Sequence, residues 1–170
     1  GTALQSEGKQ LMIDLPAVRS MVEENWYQLR LRELEELPVD YLVIMAYDYQ
    51  YDHGAGEPVT PLDWLAEVVQ FTANRVEDDS KIIIGLPSYG YSASLGTGRI
   101  RILTAEQATE HRLYTTAARD TESQELIAAD GLEALVYQDA TSIQAKIDVV
   151  GKNGISQVSI WHLGGNPWFE

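Results

Sequence analysis

The chain has no cysteine. Disulfides and thiolate metal sites are therefore excluded, while the compartment is left open by that absence. Basic residues are scarce: 12 Lys and Arg stand against 26 Asp and Glu, a net charge of −14. Nucleic acids and anionic membrane surfaces demand clustered Lys and Arg, so neither is an expected partner. A neutral or cationic ligand suits this charge, although solubility alone is the commoner reason for it. No apolar run approaches ~20 residues, so no segment reads as a membrane-spanning helix. The opening residues, GTALQSEGKQ, lack the basic and apolar regions of a secretion signal. There is no internal repeat and no low-complexity run. His53, His111 and His162 share no metal-ligand spacing, so no metal and no cofactor is expected.

What is present fits an ordinary globular protein. The 170 residues are 45% hydrophobic and 22% charged. A chain of that length buries roughly 70% of its unfolded surface as one domain. A single domain over residues 1–170 is the expectation. Residues 39–49, VDYLVIMAYDY, are the most informative stretch. Val39, Leu42, Val43, Ile44 and Met45 form an apolar run. Tyr47, Asp48 and Tyr49 then place three polar-tipped groups at its end. An apolar strand of this kind belongs in a parallel sheet covered on both faces. In such folds ligands bind at the carboxyl ends of the strands.

The remaining elements follow the same logic. Residues 10–16, QLMIDLP, read as a buried strand closed by proline. Residues 18–37 read as one amphipathic helix, with Leu29, Leu31, Leu34 and Leu37 near helical spacing and Pro38 as its stop. A loop over residues 51–61 leads to a helix over residues 62–76, with Pro61 near its first turn. KIIIGLP (81–87) and ISQVSIWHL (155–163) read as further strands. The order predicts an α/β fold with parallel pairing and right-handed crossovers. Between the last two strands lies a longer excursion. A short helix is expected over residues 104–111, with Thr104 as N-cap and Gln107 completing a capping box. Residues 115–118 and 132–137 read as two antiparallel strands. Residues 141–150 read as the returning helix. Trp26 and Trp64 are expected to be packing residues, and Trp168 with Phe169 a clasp. Asp52 and Glu57 read as loop carboxylates with access to any groove there.

Three motifs then line up. Met45-Ala46-Tyr47-Asp48 resembles the M-x-Y-D at the end of barrel strand six in family 18 glycoside hydrolases. Gly85-Leu86-Pro87-Ser88-Tyr89-Gly90 resembles the G-x-P-x-Y-G of strand seven. Ser159-Ile160-Trp161, with Leu163-Gly164, resembles the tryptophan-bearing end of strand eight. The resemblance covers nearly the whole chain. It implies a partial TIM barrel, strands five to eight with flanking helices, and a small α+β insertion at residues 92–140 after strand seven. The implied substrate is a β-1,4-linked N-acetylglucosamine glycan, chitin or peptidoglycan, and the implied place of action is extracellular or the cell envelope.

In that family the substrate's own N-acetyl oxygen attacks the anomeric carbon. By resemblance, Tyr47 donates to the acetamide and Asp48 accepts from sugar hydroxyls. Trp161 forms the floor, Met45 a wall, and Tyr89 is a further binding candidate. The family's general acid is the Glu of D-x-x-D-x-D-x-E on strand four. That spacing is absent from this chain. Three readings follow: part of a glycosidase whose acid lies elsewhere, a glycan-binding module, or a half-barrel. The half-barrel would pair with a second copy or with a separate N-terminal half, because unpaired strand edges recruit partners.

Overall fold

A computed structural model describes residues 1–164. The expected Trp168–Phe169 clasp lies outside the described residues. Four strands form a parallel sheet: β1 (Met12–Pro16), β2 (Tyr41–Met45), β3 (Ile82–Pro87) and β9 (Val158–Trp161), in the order β1-β2-β3-β9. Among the described residues this sheet does not close into a barrel.

One face of the sheet is packed by helices. Leu15, Leu42, Ile44, Ile82, Ile84 and Leu86 point to that side and are buried. They meet Leu65, Val68 and Val69 of α5 (Leu62–Ala73) and Val150 of α7 (Ala140–Lys152). Alternation along a strand turns the intervening residues to the other face. There Asp14, Val43 and Ile83 stand in register across β1, β2 and β3.

The expected helix over residues 18–37 is two short helices. After α1 (Thr2–Gln5) come α2 (Met21–Trp26) and α3 (Leu31–Glu35). Gln28 takes a left-handed backbone, φ 55°, which ends any continuous helix. The buried Glu24 carboxylate then accepts from the Leu31 amide at 3.0 Å and fixes the restart. Helical spacing of leucines carries no record of such a tertiary tie.

The excursion is larger than expected. It holds a five-stranded antiparallel sheet in the order β5-β4-β8-β7-β6. The strands are β4 (Gly90–Ser94), β5 (Ile100–Leu103), β6 (Ala118–Arg119), β7 (Leu126–Ala129) and β8 (Glu133–Tyr137). The strand expected over residues 132–137 is β8. The one expected over residues 115–118 is instead a 3-10 turn, Tyr114–Thr116, with only Ala118 entering β6. Helix α6 (Ala105–Thr109) has the expected capping box of Thr104 and Gln107. At Gly90 strands β4 and β8 of this sheet run so close together that a Cβ there would lie 2.2 Å from the Val136 carbonyl oxygen.

Asp139 caps α7 by accepting from the Ser142 amide at 2.9 Å. Burial pushes its pKa up, but hydrogen bonds from Arg119 and Ser142 outweigh this and hold it at about 2, below the ordinary 3.8. A depressed carboxylate stabilises the fold above its unfolded pKa, and that stability is lost as pH falls through the folded value. The melting temperature should therefore drop between about pH 4 and pH 2, and Asp139→Asn should flatten that slope. An unchanged slope in a pH series of thermal melts would refute this assignment.

Candidate active site

The carboxyl ends of β2, β3 and β9 bring the sequence candidates to one end of the parallel sheet. The expected strand through Tyr49 stops earlier, at Met45. Ala46 and Tyr47 continue beyond it. Asp48 then adopts φ 71° and opens α4 (Tyr49–His53). Asp is among the few non-glycine residues that tolerate this conformation. The reversal aims the Asp48 carboxylate back toward β3.

There Asp48 Oδ1 accepts from the Tyr89 hydroxyl at 2.5 Å and from Gln50 Nε2 at 3.3 Å. Burial, then the Asp48 hydrogen bond, push the Tyr89 phenol far above its ordinary range, so it stays protonated and donates. The half-buried Tyr47 ring meets Tyr89 edge-on, centroids 6.2 Å apart at 78°. It lies against Gly85, where an added Cβ would come within 3.3 Å of Tyr47 Cε1 and 3.2 Å of the Ile44 carbonyl oxygen. Glycine is what admits the ring. Burial first, then Asp48 and Asp14, raise the Tyr47 phenol pKa, which keeps it a donor too. Among the described residues the Tyr47 hydroxyl has no hydrogen-bond partner.

Met45, Tyr47 and Asp48 line one groove of about 540 Å³. Tyr89 sits behind it, bonded to Asp48. Trp161 is brought to the same end of the sheet but is outside the groove lining. It is 56% exposed, and its indole meets His162 at 5.7 Å, while His162 stacks toward Tyr89 at 6.4 Å. The Trp161 carbonyl is pinned to the strand-three end by the Ser88 amide at 2.8 Å and hydroxyl at 3.1 Å.

Several contributors were not anticipated. Trp26, expected in packing, is 72% exposed and lines the groove. Trp64 does pack partly against the core, yet also reaches the groove. Asp52 lines the groove and Glu57 does not; the Glu57 carbonyl instead accepts from the Tyr91 hydroxyl. Gln50 is buried as a second donor to Asp48.

Glu125 is the least visible of these. It is fully buried beside Lys146, Nζ to Oε1 3.2 Å. It also accepts from the amides of Val59 and Thr60, both at 2.8 Å. Val59 in turn takes the Tyr49 amide on its carbonyl at 3.1 Å, and the Thr60 hydroxyl donates to the Ala46 carbonyl at 3.0 Å. The antiparallel sheet thus grips the segment that carries Tyr47 and Asp48.

Among the described residues no three His, Cys, Asp or Glu side chains gather as a metal site. No described helix is long and apolar enough to cross a membrane. The groove offers one open phenol donor at Tyr47, one carboxylate acceptor braced by Tyr89, and open aromatic faces.

Comparison with known proteins agrees in sequence and in fold. The cortical fragment-lytic enzyme of Bacillus subtilis is 25% identical over 160 residues, covering 88% of this chain and 37% of that protein. A chitinase from Chromobacterium violaceum superposes with a TM-score of 0.80 at 28% identity, covering 98% of this chain and 54% of that one. The spore cortex-lytic enzyme of Bacillus cereus shares the fold at 24% identity, with a TM-score of 0.75 over 93% of this chain and 39% of that one. The chain thus spans between about a third and a half of the relatives it matches. Residues 2–166 match the description of the glycosyl hydrolases of family 18, and the chain belongs to that family.

Proposed function

We propose that the chain is part of a glycosidase for β-1,4-linked N-acetylglucosamine glycans, acting at the cell envelope or outside the cell. Its four parallel strands stand as strands five to eight of a (β/α)8 barrel. Hydrolysis is substrate-assisted and retaining, with the acetamide oxygen as nucleophile. Tyr47 donates to that acetamide and Asp48 accepts from a sugar hydroxyl. Trp161 lies under the distorted ring and Met45 walls the pocket. The general acid, a carboxyl near the glycosidic oxygen, comes from outside this chain. Chitin-like and peptidoglycan strands both carry the required N-acetyl group.

One observation carries this reading. The Tyr89 hydroxyl occupies Asp48 Oδ1, while the neighbouring Tyr47 hydroxyl, its pKa also raised, has no partner among the described residues. A donor left open beside a fixed carboxylate is what an acetamide needs. Calorimetric titration with a chitooligosaccharide tests it. Tyr47→Phe removes one hydrogen bond worth roughly 0.5–1.5 kcal/mol, about a 2- to 10-fold loss of affinity. Trp161→Ala should weaken binding by a similar factor through lost stacking. Undetectable binding at millimolar sugar, with no effect of Trp161→Ala, would sink the proposal.

A further inference from the structure

The groove that holds Tyr47 and Asp48 extends to a second aromatic surface. Trp26 ends α2 and Tyr27 follows it; they are 72% and 42% exposed. Their rings sit 5.0 Å apart at 52°. Tryptophan is usually among the well-buried residues, so an open pair of large rings marks a binding surface.

This exposure is built rather than loose. Ser20 caps α2 by accepting from the Glu23 amide at 3.2 Å. Glu24, 2% exposed, ties the helix down through Leu31 and through Arg75 Nη2 at 3.0 Å. Arg19 clamps Glu23 at 3.0 Å and Glu67 at 3.1 Å. The left-handed turn at Gln28 then carries the chain away and leaves both rings on the rim. A platform fixed in advance loses little entropy when a ligand stacks on it.

Its position relative to the rest of the site is informative. Trp26 follows β1 and Trp161 ends β9, the two edges of the four-stranded sheet. Three strand spacings of ~4.8 Å separate those edges, about 14 Å, with the Tyr47–Asp48 pair between them. A linear glycan crossing the strand ends spans that distance with more than one ring. Tyr51, 57% exposed, also lines this groove.

Resting on the glycosidase reading, we infer that Trp26 and Tyr27 form an additional stacking subsite for a pyranose of the same glycan strand, beyond the ring held at Tyr47 and Asp48. The charge around it narrows the ring type. Glu23, Asp48 and Asp52 supply three carboxylates to the groove, against the single guanidinium of Arg19, itself bound to two glutamates. A ring carrying its own carboxylate is repelled there. The subsite takes an N-acetylglucosaminyl ring and disfavours a lactyl-substituted one.

Calorimetry on the chain with a di- and a pentasaccharide of β-1,4-linked N-acetylglucosamine separates the possibilities. Trp26→Ala should weaken the pentasaccharide roughly 2- to 10-fold and leave the disaccharide unchanged, with Trp26→Phe restoring most of the loss. Tyr47→Phe should weaken both lengths. A pentasaccharide alternating with lactyl-substituted rings should bind more weakly than the unsubstituted one. Binding of both lengths with no effect of Trp26→Ala overturns the subsite alone. Binding of neither length to the unaltered chain overturns the glycan reading and the subsite with it. A changed solution mass in Trp26→Ala would show the rings to be a protein interface, which also overturns the subsite.

Discussion

Replacing Glu125 with alanine is expected to destabilise the chain by about 3–5 kcal/mol, the usual cost of breaking a buried ion pair from one side. Glu125 and Lys146 side chains are both fully buried. The substitution leaves the Lys146 ammonium with only the Ser123 carbonyl at 3.2 Å and Gln138 Oε1 at 3.0 Å. It also leaves the Val59 and Thr60 amides without their acceptor. Burial already pushes the Lys146 pKa down, with Glu125 opposing that push. Without Glu125 the folded state binds the proton still less well than the unfolded chain. The unfolded state then holds more protons, and stability rises with pH toward the ordinary lysine range. The penalty in Glu125→Ala should therefore shrink between about pH 7 and pH 10. Urea unfolding at several pH values measures both effects. A second variant, Glu125→Leu with Lys146→Met, should recover much of the loss because it removes both charges together. A loss under about 1 kcal/mol in Glu125→Ala would show that the pair does not hold the two parts of the molecule together.

The second large effect is catalytic and rests on the proposed glycosidase chemistry. The chain by itself should hydrolyse a fluorogenic chitooligosaccharide ~10²–10⁴-fold more slowly than a polypeptide that also carries the D-x-x-D-x-D-x-E strand. That factor is what a positioned proton donor contributes at the leaving oxygen. Tyr47 and Tyr89 cannot substitute for it, since both phenols are held protonated above their ordinary range. A phenol so reluctant to ionise is a steady hydrogen-bond donor and a poor acid. Parallel assays of the two polypeptides at equal concentration give the ratio. Rates within tenfold of each other would mean that the chain supplies a general acid of its own.

The parallel sheet was legible because its strands are uninterrupted apolar runs. IIIGLP is buried at every position of β3, and such a run has few other solutions in a mixed α/β chain. The antiparallel sheet was not legible. LIAA carries no alternation and GYSAS only a short one among small residues, and the pairing of GYSAS is settled by β8, some forty residues further on. Glu125 ends the polar string TESQE, which reads as a solvated loop; only its fold-level partners make it a buried anchor. Trp26 is exposed where packing was expected. A tryptophan on a helix reads as a packing residue, but α2 is a six-residue helix that also leaves Met21 and Val22 exposed, and no sequence pattern marks that. Tyr47 and Asp48 could be placed at a strand end from sequence. Their geometry could not, because it depends on a left-handed residue and on the contact with Tyr89.

The conformation of Asp48 also limits what a drifting sequence can place there. At φ 71° the backbone favours glycine, asparagine and aspartate, whose short side chains bond locally. Glutamate keeps the charge but not the backbone preference. Asparagine keeps the backbone and an acceptor oxygen but not the charge. A lineage leaving aspartate therefore reaches asparagine or glycine before glutamate, and loses the anion before it loses the turn. Relatives that have abandoned the chemistry should still be recognisable by an unbroken turn at this position.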